Sequence, residues 1–255
     1  SGFFYSIFTL GSGAGVLFLG FLIAKFHYEI PLLWYSFLPL AGFLFLTGLT
    51  DLKVKQQTSQ FKLAAKFLTN IIPLRLSIFY FAFSFINGLV FGIIPIDIKN
   101  LLGIKYVGVL SSIIFMMPIF FSFFFGRFSD IRGRKATIIL SYIILTLGLM
   151  SMYFRERPLL LILGIFLLAI NRAVIAPTIF ALIGDVSTEK NIEAHTALLW
   201  MAQNIGVVSA LIFSGKVQTK PIYLISIAII VISLVILLPV LKLDFKAIKL
   251  KLSQE

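Results

Sequence analysis

The most constraining feature of this sequence is a series of apolar runs, each about twenty residues long, separated by short polar breaks. A helix that crosses the ~30 Å hydrocarbon core of a bilayer needs about 20 residues, whereas a membrane-spanning strand needs about 10. Backbone groups in lipid must also be hydrogen-bonded within the protein, and a helix achieves this within one segment. The runs therefore predict an all-α, polytopic membrane protein. Eight transmembrane spans are predicted, roughly over residues 3–24, 30–49, 74–96, 105–125, 136–154, 158–183, 196–214 and 221–241.

The composition agrees with a membrane protein. Of the 255 residues, 60% are hydrophobic and 13% are charged, whereas soluble domains are about half apolar and about a quarter charged. The absence of cysteine excludes disulfides and thiolate metal sites, and the two histidines, His27 and His195, form no metal-ligand pattern. We therefore expect no cofactor and no metal. The net charge of +12 is attributed to basic loops at the bilayer surface, so we expect a lipid bilayer and no nucleic acid as a partner.

Lysine and arginine are distributed unequally between the two ends of the predicted spans. Fourteen lie on the side that holds the break after the second span, the segment 126–135 and the C-terminal tail, and seven lie on the other side. Because positive residues favour the cytoplasmic side, we predict that the richer side is cytoplasmic. Residues 51–73 are predicted to be a basic cytoplasmic linker, either a helix lying on the bilayer or a solvated segment. This linker separates residues 1–50 from a unit over 74–241, and residues 242–255 form a cytoplasmic tail.

The segment GRFSDIRGRK, residues 126–135, is a dense polar interruption between two apolar spans. Gly126 and Gly133 are expected to permit a tight reversal of the chain, and the cations are expected to hold the helix ends at the anionic inner surface. Asp130 needs a basic partner or the N-terminal end of a helix. A merely basic turn is the alternative, but it would need only the cations.

This segment resembles the loop signature of the major facilitator superfamily of secondary transporters, G-x-[LF]-[AS]-D-[RK]-x-G-R-[RK], which joins the second and third helices of each six-helix half. Ile131 stands where a base is usual. The residues that match are Gly126, Phe128, Ser129, Asp130, Gly133, Arg134 and Lys135.

The resemblance implies an architecture and a gate. Residues 74–241 would form the C-terminal half of a twelve-helix bundle, and residues 1–50 would hold the last two helices of the N-terminal half, with four further helices before them. The motif would act as a cytoplasmic gate, in which Asp130 contacts the N-terminal end of the first span and Arg134 contacts Asp185 at the end of the sixth.

Amides and a charge occur within the third, sixth and seventh spans, whereas the second, fifth and eighth contain none. The resemblance places the first three closer to a central cavity and the others against lipid, as the cost of burying polar groups in hydrocarbon requires. We therefore predict a substrate cavity lined by Asn87, Asn171, Arg172, Gln203 and Asn204.

Arg172 is the only formal charge deep within a span. A lone arginine there costs at least about 2.5 kcal/mol, so we expect it to face a wet cavity. A guanidinium fork suits a carboxylate or phosphate, which favours an anionic solute. The alternative is an arginine held by carbonyls and by Gln203 or Asn204.

The stripe of Ala202, Gly206 and Ala210 predicts close helix packing more than contact with a solute. None of the 28 phenylalanines is assigned an individual functional role.

The predicted function is secondary active transport: a permease in the cell (plasma) membrane that moves a small solute by alternating access. Coupling to protons or another ion, as symport or antiport, is left open. A non-transporting scaffold or receptor remains an alternative. A lipid-modifying enzyme is a less favoured one, because the ten acidic residues lie in loops or near span ends. We predict that the protein is not an enzyme.

Overall fold

The computed structural model describes residues 2–26, 29–31, 33, 35–37, 71–187, 192–216 and 219–241. Its main helices are α1 (Gly2–Lys25), α2 (Ile71–Gly92), α3 (Ile94–Leu102), α4 (Ile104–Arg132), α5 (Arg134–Tyr153), α6 (Pro158–Val186), α7 (Ile192–Ser214) and α8 (Thr219–Leu241). No strand occurs among the described residues. The predicted all-α class is confirmed.

Six helical segments of the described part are long and apolar enough to cross a membrane, and they correspond to the predicted third to eighth spans. They are Ile71–Leu102, which joins α2 and α3, and then Ile104–Arg132, Arg134–Tyr153, Pro158–Val186, Ile192–Ser214 and Lys220–Leu241.

The first predicted span coincides with α1, whose apolar stretch is the shorter segment Leu10–Ile23. Three predicted segments lie outside the described residues: most of the second span, the linker residues 51–70 and the tail 242–255. Helix α2 is described from Ile71, so the last three residues assigned to the linker, 71–73, are helical. Pro73 does not oppose this start, since a proline in the first turn of a helix removes no intrahelical hydrogen bond.

The reversal in the motif occurs at one residue. Helix α4 continues to Arg132, and only Gly133 leaves the helical conformation, with φ 90° and ψ 157°. The predicted turn role of Gly126 is therefore wrong, because this residue lies inside α4. Gly126 costs only about 1 kcal/mol relative to alanine inside a helix, and residues 127–132 contain no proline, so the helix extends beyond the apolar run. The positive φ at Gly133 is a conformation that glycine adopts without strain.

Close helix contacts define the packing. Helix α2 packs along α7, α1 along α4, and α6 lies against both α4 and α5. A Cβ added at Gly88 of α2 would lie 2.6 Å from the Cβ of Ala210 in α7, and one added at Gly20 of α1 would lie 2.3 Å from Cα of Gly108 in α4. The predicted packing role of the small-residue stripe in α7 is confirmed, because Ala202, Gly206 and Ala210 are all buried.

Candidate functional site

Three helices meet at the guanidinium of Arg172, which lies halfway along α6. Its Cζ atom is 4.8 Å from the ring centroid of Phe115 in α4 and 5.5 Å from that of Phe91 in α2. The two rings are 5.4 Å apart with an interplanar angle of 33°. We call Arg172, Phe91 and Phe115 the arginine cradle.

The cradle stabilises a cation in a way that suits a ligand site. An aromatic face attracts the positive charge through its quadrupole, by about 0.5–1 kcal/mol when exposed and about 2 kcal/mol or more when desolvated. Hydrogen bonds to an oxyanion form at the N–H edge of a guanidinium, which has five N–H donors.

Two of the predicted cavity amides lie on α2 or contact it. Asn87 is half-buried and one turn before Phe91, so both residues occupy the same face of α2. Gln203 of α7 accepts a hydrogen bond at Oε1 from the Tyr80 hydroxyl of α2, at 2.8 Å. This bond turns the Gln203 amide N–H group away from Tyr80.

The other two predicted amides are used differently. Asn171 is only 1% exposed, and its Nδ2 atom donates to the carbonyl and the hydroxyl oxygen of Ser141 in α5, both at 2.7 Å. Its predicted cavity role is therefore wrong, because the side chain is buried between α6 and α5. Asn204 is exposed, and it donates to the Trp200 carbonyl of its own helix at 2.9 Å.

The 126–135 motif forms an ionic cluster centred on Arg134, at the start of α5. Its Nε atom donates to Asp185 Oδ2 of α6 at 3.0 Å. Its Nη1 atom donates to Asp130 Oδ1 at 2.6 Å and to Ser129 Oγ at 2.9 Å, both in α4. The contact expected between Arg134 and Asp185 is therefore present, and one guanidinium joins the ends of α4, α5 and α6. Lys135 is exposed.

The carboxylates of this cluster differ in exposure. The Asp130 side chain is 67% exposed, whereas those of Asp185 and Arg134 are 23% and 18% exposed. The contact expected between Asp130 and the first residues of α1 lies outside the side chains that the structure describes. Beside the cluster is a cavity of about 410 Å³, lined by Ser122, Phe123, Gly126, Arg127, Ser129, Asp130, Arg134, Pro177 and Ala181.

A second ionic cluster, absent from the sequence-based predictions, lies at the opposite end of the bundle. Asp97 of α3 accepts a hydrogen bond from the Tyr223 hydroxyl of α8 at 2.9 Å and forms an ion pair with Arg155 Nε at 2.8 Å. The side chains of Asp97 and Arg155 are 7% and 13% exposed. The only local signal of this cluster in the sequence is that Asp97 interrupts an apolar run. The partners of Asp97 are distant in the sequence, so the contacts could not be predicted from it.

Comparison with known proteins identifies a family. The family model described as Major Facilitator Superfamily matches residues 76–255, which include the motif and the arginine cradle. No curated protein matches the chain.

Proposed function

The chain belongs to the major facilitator superfamily, and on that basis we propose that it carries a small anionic solute across the cell membrane by alternating access. Membership of this superfamily points to a transporter rather than an enzyme, and the six membrane-spanning helices agree with a multi-pass membrane protein. The observation that carries the anionic solute is the arginine cradle, which holds a permanent cation halfway along a transmembrane helix.

The preference for an anion follows from the energetics of the cradle. The rings offset part of the free-energy cost of burying the Arg172 cation, but they do not neutralise its charge. A nearby oxyanion would therefore gain a charge-assisted hydrogen bond from Arg172. Such bonds contribute about 1.5–3 kcal/mol, which is enough to select a carboxylate or phosphate over a neutral isostere by roughly tenfold or more. Asn87, on the Phe91 face of α2, supplies a neutral donor and acceptor to the same solute.

The gate is assigned to the Arg134 cluster. In this proposal, the bonds from Arg134 to Asp130 and Asp185 hold the cytoplasmic ends of three helices in one conformation of the transporter. Because Asp130 is the most exposed member, it is the group best placed to exchange partners when the two halves move. Asp130→Asn should therefore lower transport per molecule more than it lowers expression; unchanged transport per molecule would reject the gating role.

The solute class can be tested with the full native protein in proteoliposomes. Small carboxylates and phosphate esters are compared with neutral amides and alcohols of the same size, by ligand-induced thermal stabilisation and by uptake. We expect stabilisation and uptake only with anions. Arg172→Gln should weaken their affinity by about tenfold or more, with Arg172→Lys between the two. Arg157→Gln removes an exposed cation outside the spans and serves as the control.

Two results would contradict different parts of the proposal. If both Arg172 variants bind and transport anions as the native protein does, the arginine is structural and the anionic class is wrong. If no solute of any charge is transported by vesicles that contain folded protein, a scaffold or receptor is the better assignment. The driving ion is identified in the same vesicles by imposing a proton or sodium gradient and comparing initial uptake rates.

A further inference from the structure

A groove runs between α1 and α4 at the end of these helices that is remote from the 126–135 motif. It encloses about 620 Å³, and it is lined by Leu17, Phe18, Gly20, Phe21 and Lys25 of α1 and by Lys105, Gly108 and Val109 of α4. We call it the α1–α4 groove. In the part of the chain that the structure describes, its apolar walls are exposed: Phe18 and Phe21 are each 63% exposed, and Val109 is 54% exposed.

The floor of the groove is a backbone contact. Gly20 and Gly108 face each other so closely that a Cβ on Gly20 would lie 2.3 Å from Gly108 Cα. Neither residue contributes a side chain where the helices cross, and the larger side chains on either side become the walls. The depression is shaped by the glycine pair, which fixes it in position along both helices.

The mouth of the groove is basic. Lys25 is in the last turn of α1 and Lys105 is in the first turn of α4, so two ammonium groups from different helices lie at the same end. Both lysines are exposed. Within the described part of the chain, no acidic residue lines the groove. Lys25 contacts the ring of Phe26, with Nζ 5.6 Å from the ring centroid.

We infer that the α1–α4 groove binds one phospholipid with an anionic headgroup, in the leaflet remote from the motif. From Leu17 to Lys25 the helix rises about 12 Å at ~1.5 Å per residue, which is close to half of the ~30 Å hydrocarbon core. One acyl chain thus fits against the aromatic walls while the phosphate meets Lys25 and Lys105. A second copy of the chain fits poorly, since a two-fold contact through this face would bring four lysines together.

The inference rests on the membrane location and the groove, and not on the identity of the solute. Each lysine near an anionic headgroup contributes about 1 kcal/mol, or about a fivefold change in affinity at 1.4 kcal/mol per tenfold. The double variant Lys25→Gln, Lys105→Gln should therefore bind an anionic lipid about thirtyfold more weakly. The difference should shrink at high salt, which screens exposed charges.

The test uses the full native protein in a mild detergent. Phosphatidylglycerol and phosphatidylcholine with identical acyl chains are titrated separately, and lipid adducts are measured by native mass spectrometry. We expect tighter binding of phosphatidylglycerol, lost in the double variant and retained in a matched control, Arg157→Gln, Lys216→Gln. The control removes two exposed cations that do not line the groove.

Several results would overturn the inference. The first is equal binding of the two lipids, and the second is equal lipid binding by the native protein and the double variant. The third is an equal loss of lipid binding in the control variant, which would show that the net charge of the protein, and not the groove, determines binding. Dimers in place of lipid adducts would assign the groove to a protein interface and reject the lipid. Thermal stability in lipid-free detergent confirms that all variants are folded before the titrations are compared.

Discussion

Replacing Gly206 by alanine should push α7 away from α2, because no side chain fits where the two helices cross. A Cβ at this position would lie 2.6 Å from the Phe81 carbonyl oxygen and 3.1 Å from the Phe85 backbone nitrogen. These are atoms of the α2 backbone, and they cannot rotate away as the end of a flexible side chain could. The helices must therefore separate locally by about 0.8 Å to restore an ordinary contact of 3.4 Å.

The cost of this separation can be bounded with a matched variant. Forcing an extra group into a packed interior costs about 1–3 kcal/mol, while glycine to alanine within a helix gains roughly 0.5–1 kcal/mol. A Cβ added at Gly184 in α6 would meet no atom of another part of the chain within 4 Å. Gly184→Ala should therefore show only the gain in helix stability, without a packing cost. The difference between the two variants is therefore the packing cost alone, about 1–3 kcal/mol.

The assay is thermal unfolding of the purified protein in detergent, with both variants and the native protein in parallel. Gly206→Ala should unfold several degrees below Gly184→Ala. It should also weaken the 2.8 Å bond between Tyr80 and Gln203, which lies one turn away in the same interface. If the two variants unfold at the same temperature, α2 and α7 are not in backbone contact at Gly206, and the close packing of these two helices is refuted.

Three further predictions concern the ionic and aromatic contacts. Phe115→Leu removes the nearer ring of the cradle and should weaken anion affinity by about 0.5–2 kcal/mol, measured by competition binding, while Phe115→Tyr restores it. Asp185→Asn removes one carboxylate from Arg134 and should reduce transport per molecule by up to about tenfold in uptake assays; a loss matched by lower expression would contradict the gate. Asp97→Asn breaks a buried ion pair and should lower the free energy of unfolding by about 3–5 kcal/mol. The exposed Glu156, which pairs with Lys220 at 3.1 Å, provides the comparison, since Glu156→Gln should cost about 0–1 kcal/mol in the same unfolding experiment.

Much of the fold could be predicted because a bilayer imposes simple rules on a sequence. A span must be apolar and about twenty residues long, so the last six spans are visible as runs, and the described helices match them. The ends are less visible: α4 continues to Arg132 because polar side chains at the bilayer surface carry no helix-breaking signal. The small-residue stripe in α7 was recognisable because four-residue spacing places Ala202, Gly206 and Ala210 on one face.

The contacts of the site were less predictable, because they join residues far apart in the chain. Phe91 and Phe115 are two of 28 phenylalanines, and nothing in their local sequence distinguishes the rings that hold Arg172. Asp97 and Arg155 are separated in the chain by α4 and α5, although each alone is an ordinary charge near a span end.

Asn171 shows why composition alone cannot sort the polar residues of a span. It precedes Arg172 directly, and consecutive residues on an α-helix point about 100° apart. Arg172 therefore faces α2 and α4, while Asn171 faces α5 and donates to Ser141. Helix α5 has no amide or charge within its predicted span, yet it satisfies the Asn171 amide with a carbonyl and a hydroxyl. A helix without amides or charges can thus be the partner of a buried amide, so the phase of each residue around its helix decides which polar groups reach a cavity. By this criterion Arg172 and Asn171 face different helices, although they are adjacent in the sequence.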